Sequence, residues 1–264
     1  MQNARRLFIA IVGLSISACA GLPVESAPEV RQTLAPLGKL RVAVTAGSPM
    51  SMIRDPASGQ PRGVAFELGK NLAERLGVPL EPVVFPRAAE AVEGLKSGKA
   101  DLILTNASPV RAKDIDFTQT LLEIEQGFLV PARSPVSMPA QVDRPEIRVG
   151  VTSGSTSERL LSRELKNARL IPVPTFKSAV EIVLATKLDV FATNKTLLYE
   201  MSDQLPGSRV LDGRYGVEHI ALGIPKGRDQ AMAYLRQFAE EARSTRLLQE
   251  AVERAGLRGA VIAR

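Results

Sequence analysis

The chain has 264 residues, 45% of them hydrophobic and 23% charged, enough for one large packed domain or two medium lobes and unlike a disordered polymer. Aromatics make up only 4% and tryptophan is absent, so the core must rest on Leu, Val, Ile and Ala. The net charge of +6 is dispersed rather than gathered into a basic stripe with interleaved aromatics, which argues against nucleic acid as a partner.

Arg5 and Arg6 precede an apolar run from Leu7 to Leu14, followed by small residues. A charged start, a short apolar stretch and a small-residue exit read as a secretory signal peptide over 1–20. The run is too short to cross a bilayer as a helix. Two processing sites fit. Ala18-Cys19-Ala20 suits cleavage before Gly21, and Ile16-Ser17-Ala18-Cys19 resembles a lipobox that would make Cys19 a lipid anchor. Ala20 in place of an Asp after Cys19 favours the free form. The expected location is the periplasm, free or tethered at Cys19, and the body beyond Cys19 holds no cysteine for a disulfide.

Residues 21–37 are rich in Pro, Ala and Glu and read as a linker. Lys39-Leu40-Arg41-Val42-Ala43-Val44-Thr45 is a strand that ends in a loop at 46–49. Gly63 opens a helix with Leu68, Leu72 and Leu76 on one face, stopped by Gly77. A strand at 83–85, a helix from Pro86 to about Gly98 and a buried strand at 102–104 follow. The β-α-β-α-β order predicts a parallel sheet with helices on its faces.

The order then repeats: strands at 148–152, 169–173 and 189–193, with helices near 156–166 and 176–187. The two openings, RVAVTAGS and RVGVTSGS, agree at six of eight positions. Apolar strands at 127–130 and 220–224 bracket the second half and serve as crossovers. Lobe one is thus expected at 38–130 and 225–264, lobe two at 131–224. An amphipathic tail with Leu235, Phe238, Ala242, Leu247, Leu248 and Val252 packs back on lobe one.

Three segments carry a family resemblance. Gly63-Val64-Ala65-Phe66-Glu67-Leu68 keeps Gly63, Glu67 and Leu68 of a helix-opening motif. Leu95-Lys96-Ser97-Gly98-Lys99-Ala100-Asp101-Leu102-Ile103 resembles an L-x-x-G-K-x-D-L-I block. Ser108-Pro109-Val110-Arg111, continuing to Asp116-Phe117-Thr118, resembles T-x-x-R followed by D-F-S/T. Together they resemble the family-3 bacterial extracellular solute-binding proteins over about 38–264. The resemblance implies an α/β fold of the periplasmic binding protein-like type II, two α/β lobes joined by two crossover strands. It also implies an ABC-importer receptor for amino-acid-like solutes, working as a monomer with an inner-membrane permease.

Arg111 is the first candidate for ligand binding, because its guanidinium fork pairs bidentately with a carboxylate. It follows Ser108-Pro109, an N-cap and first-turn proline. The alternative is a surface ion pair with Asp114 or Asp116. Thr105, Asn106 and Ser108 lie past a strand end, where ligands of α/β sheets gather. Ser155 and Thr156 open a helix whose free N–H groups favour an anion, with Ser155 and Glu158 as a capping box. The resemblance places the ligand carboxylate between Arg111 and this helix, so that only the closed state makes both sets of contacts.

The departures point to ligand charge. Asn194 stands where the family has an acid for the ligand ammonium, and Ser48 and Ala88 stand where it has an aromatic clamp. With Arg87 and Arg111 and no acid at 194, the cleft is expected to prefer a net anion: a small carboxylate or an acidic amino acid.

His219 is the one histidine, expected in a core or hinge role. No metal constellation, nucleophile elbow, P-loop or dinucleotide fingerprint appears, so neither metal nor cofactor is expected. The leading expectation is a binding protein rather than an enzyme. Two alternatives stay open: a cyclohexadienyl dehydratase-like enzyme on the same fold, with Glu181 as a candidate acid, and a solute-sensing receptor.

Overall fold

The computed structural model describes residues 28–55 and 57–263. The expected signal peptide, Cys19 and the first part of the expected linker lie outside them. Pro28–Leu34, expected as linker, is helix α1. Val30 and Leu34, four apart, share its buried face and join the lobe-one core. Pro28 and Glu29, which counted toward the linker reading, are first-turn residues of this helix.

Lobe one continues with β1 (Leu40–Thr45), the hairpin β2 (Ile53–Arg54) and β3 (Pro61–Arg62), and α2 (Val64–Leu76). Then come β4 (Leu80–Phe85), α3 (Ala88–Lys96), β5 (Leu102–Asn106), β6 (Ile115–Phe117) and β7 (Leu122–Val130). The second lobe carries β8 (Arg148–Thr152), α4 (Thr156–Glu164), β9 (Arg169–Val173), α5 (Phe176–Leu184), β10 (Val190–Asn194), α6 (Lys195–Gln204) and β11 (Arg209–Val210). The chain returns through β12 (Gly216–Pro225) to α7 (Asp229–Ser244), α8 (Leu247–Ala255) and β13 (Ala260–Ile262).

The main path through the large sheet runs β4-β1-β5-β12-β7-β10-β8-β9. β1 lies parallel between β4 and β5, and β8 lies parallel between β9 and β10. Each lobe therefore has the strand order second-first-third. The antiparallel pair β7 and β12 joins them, in register from Leu122↔Ile220 to Gln126↔Gly216. Both crossovers are longer than their apolar runs suggested, because these paired stretches include Glu123, Glu125, Glu218 and His219.

Alternation along the strands feeds a core on each face of the sheet. Val42 and Val44 join Leu68, Leu72 and Phe238 on one face, while Ala43 joins Leu95 and Ile103 on the other. In lobe two, Val190 and Ala192 meet Leu161, and Phe191 meets Ala179 and Leu198. The two helices of each β-α-β-α-β unit thus cover opposite faces. Leu72 is fully buried, and its truncation to Ala would cost about 2–5 kcal/mol. Gly77 ends α2 in the left-handed region at φ 63° and donates to the carbonyls of Ala73 and Glu74, as its position predicted.

Candidate functional site

In a doubly wound sheet, the crevice opens where successive helices depart to opposite faces, beyond the strand carboxyl ends. Both lobes turn such a crevice toward one cleft. Thr45 ends β1 and Ser48 follows it, Thr105 and Asn106 end β5, Thr152 ends β8 and Ser155 follows it, and Thr193 and Asn194 end β10. The cleft volume is about 120 Å³, room for one small metabolite.

Arg111 lies in this cleft and is only 8% exposed. The residues after Ser108-Pro109 form a single 3-10 turn, Arg111–Lys113, rather than the expected helix. The turn leads directly into β6, which leaves no length for a second turn. Arg111 Nη1 donates to Thr105 Oγ1 at 2.7 Å and to the Asn106 carbonyl at 3.3 Å. The two acids that could have held it at the surface are engaged elsewhere. Asp114 pairs with Lys96 at 3.2 Å, and Asp116 accepts from the Gly227 N–H at 3.3 Å. Burial pulls the Arg111 pKa down to about 10, Glu218 opposes this and Arg159 adds to it. The guanidinium therefore stays charged at neutral pH, buried and with no carboxylate in ion-pair contact. Such a charge is costly until an anion or strong acceptors meet it.

Glu218 is the acid that the sequence reading missed. It is 7% exposed and lines the cleft from β12. Gln126 Nε2 donates to its Oε1 at 3.2 Å and Asn194 Nδ2 to its Oε2 at 3.0 Å. Each carboxylate oxygen has a further lone pair to offer. A signal was present. Along β12, Glu218 is in phase with Ile220, Leu222 and Ile224, all buried, so strand alternation points its side chain inward. The premise of the expected anion-preferring cleft, the lack of an acid at 194, is thus incomplete: Glu218 of the crossover β12 brings a carboxylate to the cleft.

Asn194 has a role of its own as the N-cap of α6. Its Oδ1 accepts from the Leu197 N–H at 3.2 Å and Thr196 Oγ1 at 2.7 Å. With Nδ2 on Glu218, it orients the carboxylate rather than standing in for it.

At α4, the Ser155 hydroxyl accepts from the Glu158 N–H at 3.1 Å. The return half of the expected capping box reaches one residue further back, with Glu158 Oε2 accepting from the Gly154 N–H at 2.5 Å. The N–H groups of Thr156 and Ser157 sit in the first helical turn, which has no intrahelical acceptors to offer them. Thr156 also links the lobes: its Oγ1 accepts from Asn106 Nδ2 at 3.3 Å and from Arg159 Nη2 at 3.2 Å. Asn106 Oδ1 in turn accepts from the His219 N–H at 3.1 Å.

The remaining expected residues divide. Arg87 lines the cleft, but its Nε and Nη2 both donate to Glu90 Oε1. Ser108 does not line the cleft; its hydroxyl accepts from the Arg111 N–H at 3.5 Å and supports the turn instead. Glu181 is exposed on α5 and away from the cleft, so it is no general-acid candidate. The His219 side chain is exposed beside Glu123 rather than in a core, because it alternates out of phase with Glu218 and Ile220. Ser48 and Ala88 do line the cleft, and Phe176 brings an aromatic ring to it from the first turn of α5.

The sequence matches the model of the bacterial extracellular solute-binding proteins, family 3, over residues 40–256. It is 24% identical over 196 residues to a glutamine-binding protein of Geobacillus stearothermophilus, covering 72% of this chain and 73% of that one. Among solved structures it resembles the solute receptor for L-cysteine of Neisseria gonorrhoeae, with TM-score 0.76 and 24% identity over 87% of this chain and 93% of that one. It also resembles an ancestral amino-acid-binding protein described as a precursor of cyclohexadienyl dehydratase. That match has TM-score 0.74 and 22% identity over 84% of this chain and 97% of that one. Among the described residues no helix is long and apolar enough to cross a membrane.

Proposed function

Because this chain belongs to the bacterial extracellular solute-binding proteins, family 3, we propose that it is an extracytoplasmic receptor that captures an α-amino acid by closing its lobes about β7 and β12. The observation that carries this reading is the pair of buried, opposite and unmated charges in one cleft, Arg111 and Glu218. The ligand carboxylate takes the free side of the Arg111 fork and the N–H groups of Thr156 and Ser157. Its ammonium takes the open lone pairs of Glu218. The lobes that move are 38–130 with 225–264, together with α1, and 131–224. Only the closed form joins Arg111 on one lobe to α4 on the other, so binding and closure are coupled.

The downstream partners in this reading are an ABC permease of the inner membrane and its ATPase, which supplies the energy. Thermal-shift and calorimetric titration of the mature protein against the amino acids and small carboxylates tests the binding step. Saturable binding of an α-amino acid that Arg111→Ala abolishes supports it. Full affinity in that variant would refute the clamp. Uptake by vesicles containing an amino-acid ABC permease and its ATPase tests the transport step, and separates an importer from a solute-sensing receptor.

One observation favours a second reading. Among the described residues Glu218 is the one carboxylate lining the cleft, it is buried, and it faces the place a ligand would occupy. That is where an elimination reaction needs a general acid, and one structural neighbour is named as a precursor of a dehydratase. Proton NMR of the bound solute over hours distinguishes the two. A ligand recovered unchanged sustains the receptor, and a consumed one identifies an enzyme.

A further inference from the structure

Among the described residues, three charged side chains line the cleft: Arg87, Arg111 and Glu218. Arg111 and Glu218 await the two charges that every α-amino acid carries. Arg87 is already occupied. It is the extended N-cap residue of α3, at φ −143° and ψ 156°, and Glu90 is the third residue of that helix. Nε of Arg87 reaches Glu90 Oε1 at 2.8 Å and Nη2 donates to the same oxygen. Glu90 itself does not line the cleft. The pair is partly exposed, with side chains 29% and 37% accessible, so it contributes little to stability.

We infer that Glu90 sets the charge specificity of the receptor by neutralising Arg87, so that the cleft selects an amino acid with an uncharged side chain. The inference rests on the amino-acid reading above and extends it to the ligand's side-chain class. An acidic side chain would have to take Arg87 away from Glu90 and leave two carboxylates beside each other, a repulsion the neutral amide isostere avoids. A basic side chain would find no second carboxylate, since Glu218 is committed to the ammonium. An uncharged side chain meets the Ser48 hydroxyl, Met50 and the ring of Phe176, none of which demands a countercharge. The arrangement also assigns Arg87 a second state. Freed from Glu90, it becomes the cation an acidic side chain needs.

The test is isothermal titration of the mature wild-type protein and two variants with the pairs glutamine/glutamate and asparagine/aspartate. Lysine serves as the cationic control. Wild type is expected to bind the better amide at least about tenfold tighter than its acid. Glu90→Gln is expected to tighten the acid about tenfold or more and to leave the amide within a factor of about three. Adding Arg87→Met to Glu90→Gln is expected to remove that gain. Circular dichroism melts confirm that each variant folds. A wild type that prefers the acid overturns the inference. So does a Glu90→Gln variant that still binds the amide but gains nothing for the acid. Wild type that binds no α-amino acid at all overturns the receptor reading as well, and is recognised by the absence of any titration.

Discussion

Arg41 holds Asp101 through three donors: its backbone N–H at 3.1 Å, Nε at 2.9 Å and Nη2 at 2.7 Å. Arg148 and Asp189 repeat the arrangement in lobe two with the same atoms, at 2.8, 2.8 and 2.9 Å. In both lobes the arginine sits at the start of the first strand and the aspartate immediately precedes the third, so each pair staples two neighbouring parallel strands at their amino ends. The Arg148 hydrogen bond holds the Asp189 carboxyl below the usual carboxylate range.

Because the Asp189 pKa is lower folded than unfolded, the group stabilises lobe two above about pH 4 and loses that contribution as pH falls through its folded value. Asp189→Asn is expected to destabilise the protein at pH 7 by about 1–3 kcal/mol. The gap to wild type should close in acid. Urea melts at pH 7 and below pH 4 measure this, and a gap independent of pH counts against the ion pair as its source.

Arg111→Met keeps an apolar stem of similar length and removes the charge. At neutral pH the folded state carries the full cost of a guanidinium whose pKa is drawn down to about 10, roughly 3 kcal/mol before lost hydrogen bonds are counted. That cost fades only as pH rises above the folded value, where the folded chain releases a proton the unfolded chain retains. The unliganded variant is therefore expected to melt at or above wild type, with its ligand-dependent shift gone. A variant that melts several degrees lower, with its ligand shift intact, would show that Arg111 serves the fold.

Glu218→Gln retains shape and removes the charge offered to an ammonium. Affinity for α-amino acids is expected to fall by about a hundredfold or more, as for truncation of a buried charge pair. Carboxylates without an amine should lose much less. Calorimetry with an amino acid and its deamino analogue gives the comparison, and equal losses for both would separate Glu218 from the ammonium.

Gly154, at φ 73° before α4, brings lobe two against lobe one. A Cβ built on it would lie 2.8 Å from Ala89 Cβ on α3. Gly154→Val is strained by its backbone and collides with the opposing lobe. The ligand-bound form is expected to stay wider in small-angle scattering, with affinity down by about tenfold or more, since contacts to the two lobes can no longer be made together. A variant that binds and compacts like wild type would remove this contact from the closure path.

Much of the architecture could be read from alternation and punctuation. Leu68, Leu72 and Leu76 marked α2, Gly77 ended it, and the RVAVT and RVGVT openings marked equivalent strands. Helix α6 was missed because Asn194 was read only as a ligand position, although it is also the cap that starts the helix. The tight ends β11 and β13 are too short for periodicity to register, and they exist because β7 offers them an edge. In the cleft, Arg111, Thr105, Asn106, Ser155, Thr156 and Asn194 could be placed from strand ends and helix starts. Glu218 could not be placed that way, because its position depends on the pairing of two crossovers far apart in sequence. The same limit hid the engagement of Arg87, since only coordinates show that a neighbour three residues on has taken its donors.

The core around Leu40 and Leu72 is finished by Phe238 and Leu248, whereas the clusters around Val149 and Phe191 draw on residues between 128 and 215. A polypeptide emerging in order of synthesis can therefore mature its inserted half first. The enclosing half must wait with an uncovered floor until its later helices arrive. That order makes truncation near residue 230 selective: the inserted half keeps its whole core, whereas the enclosing half loses Phe238 and Leu248.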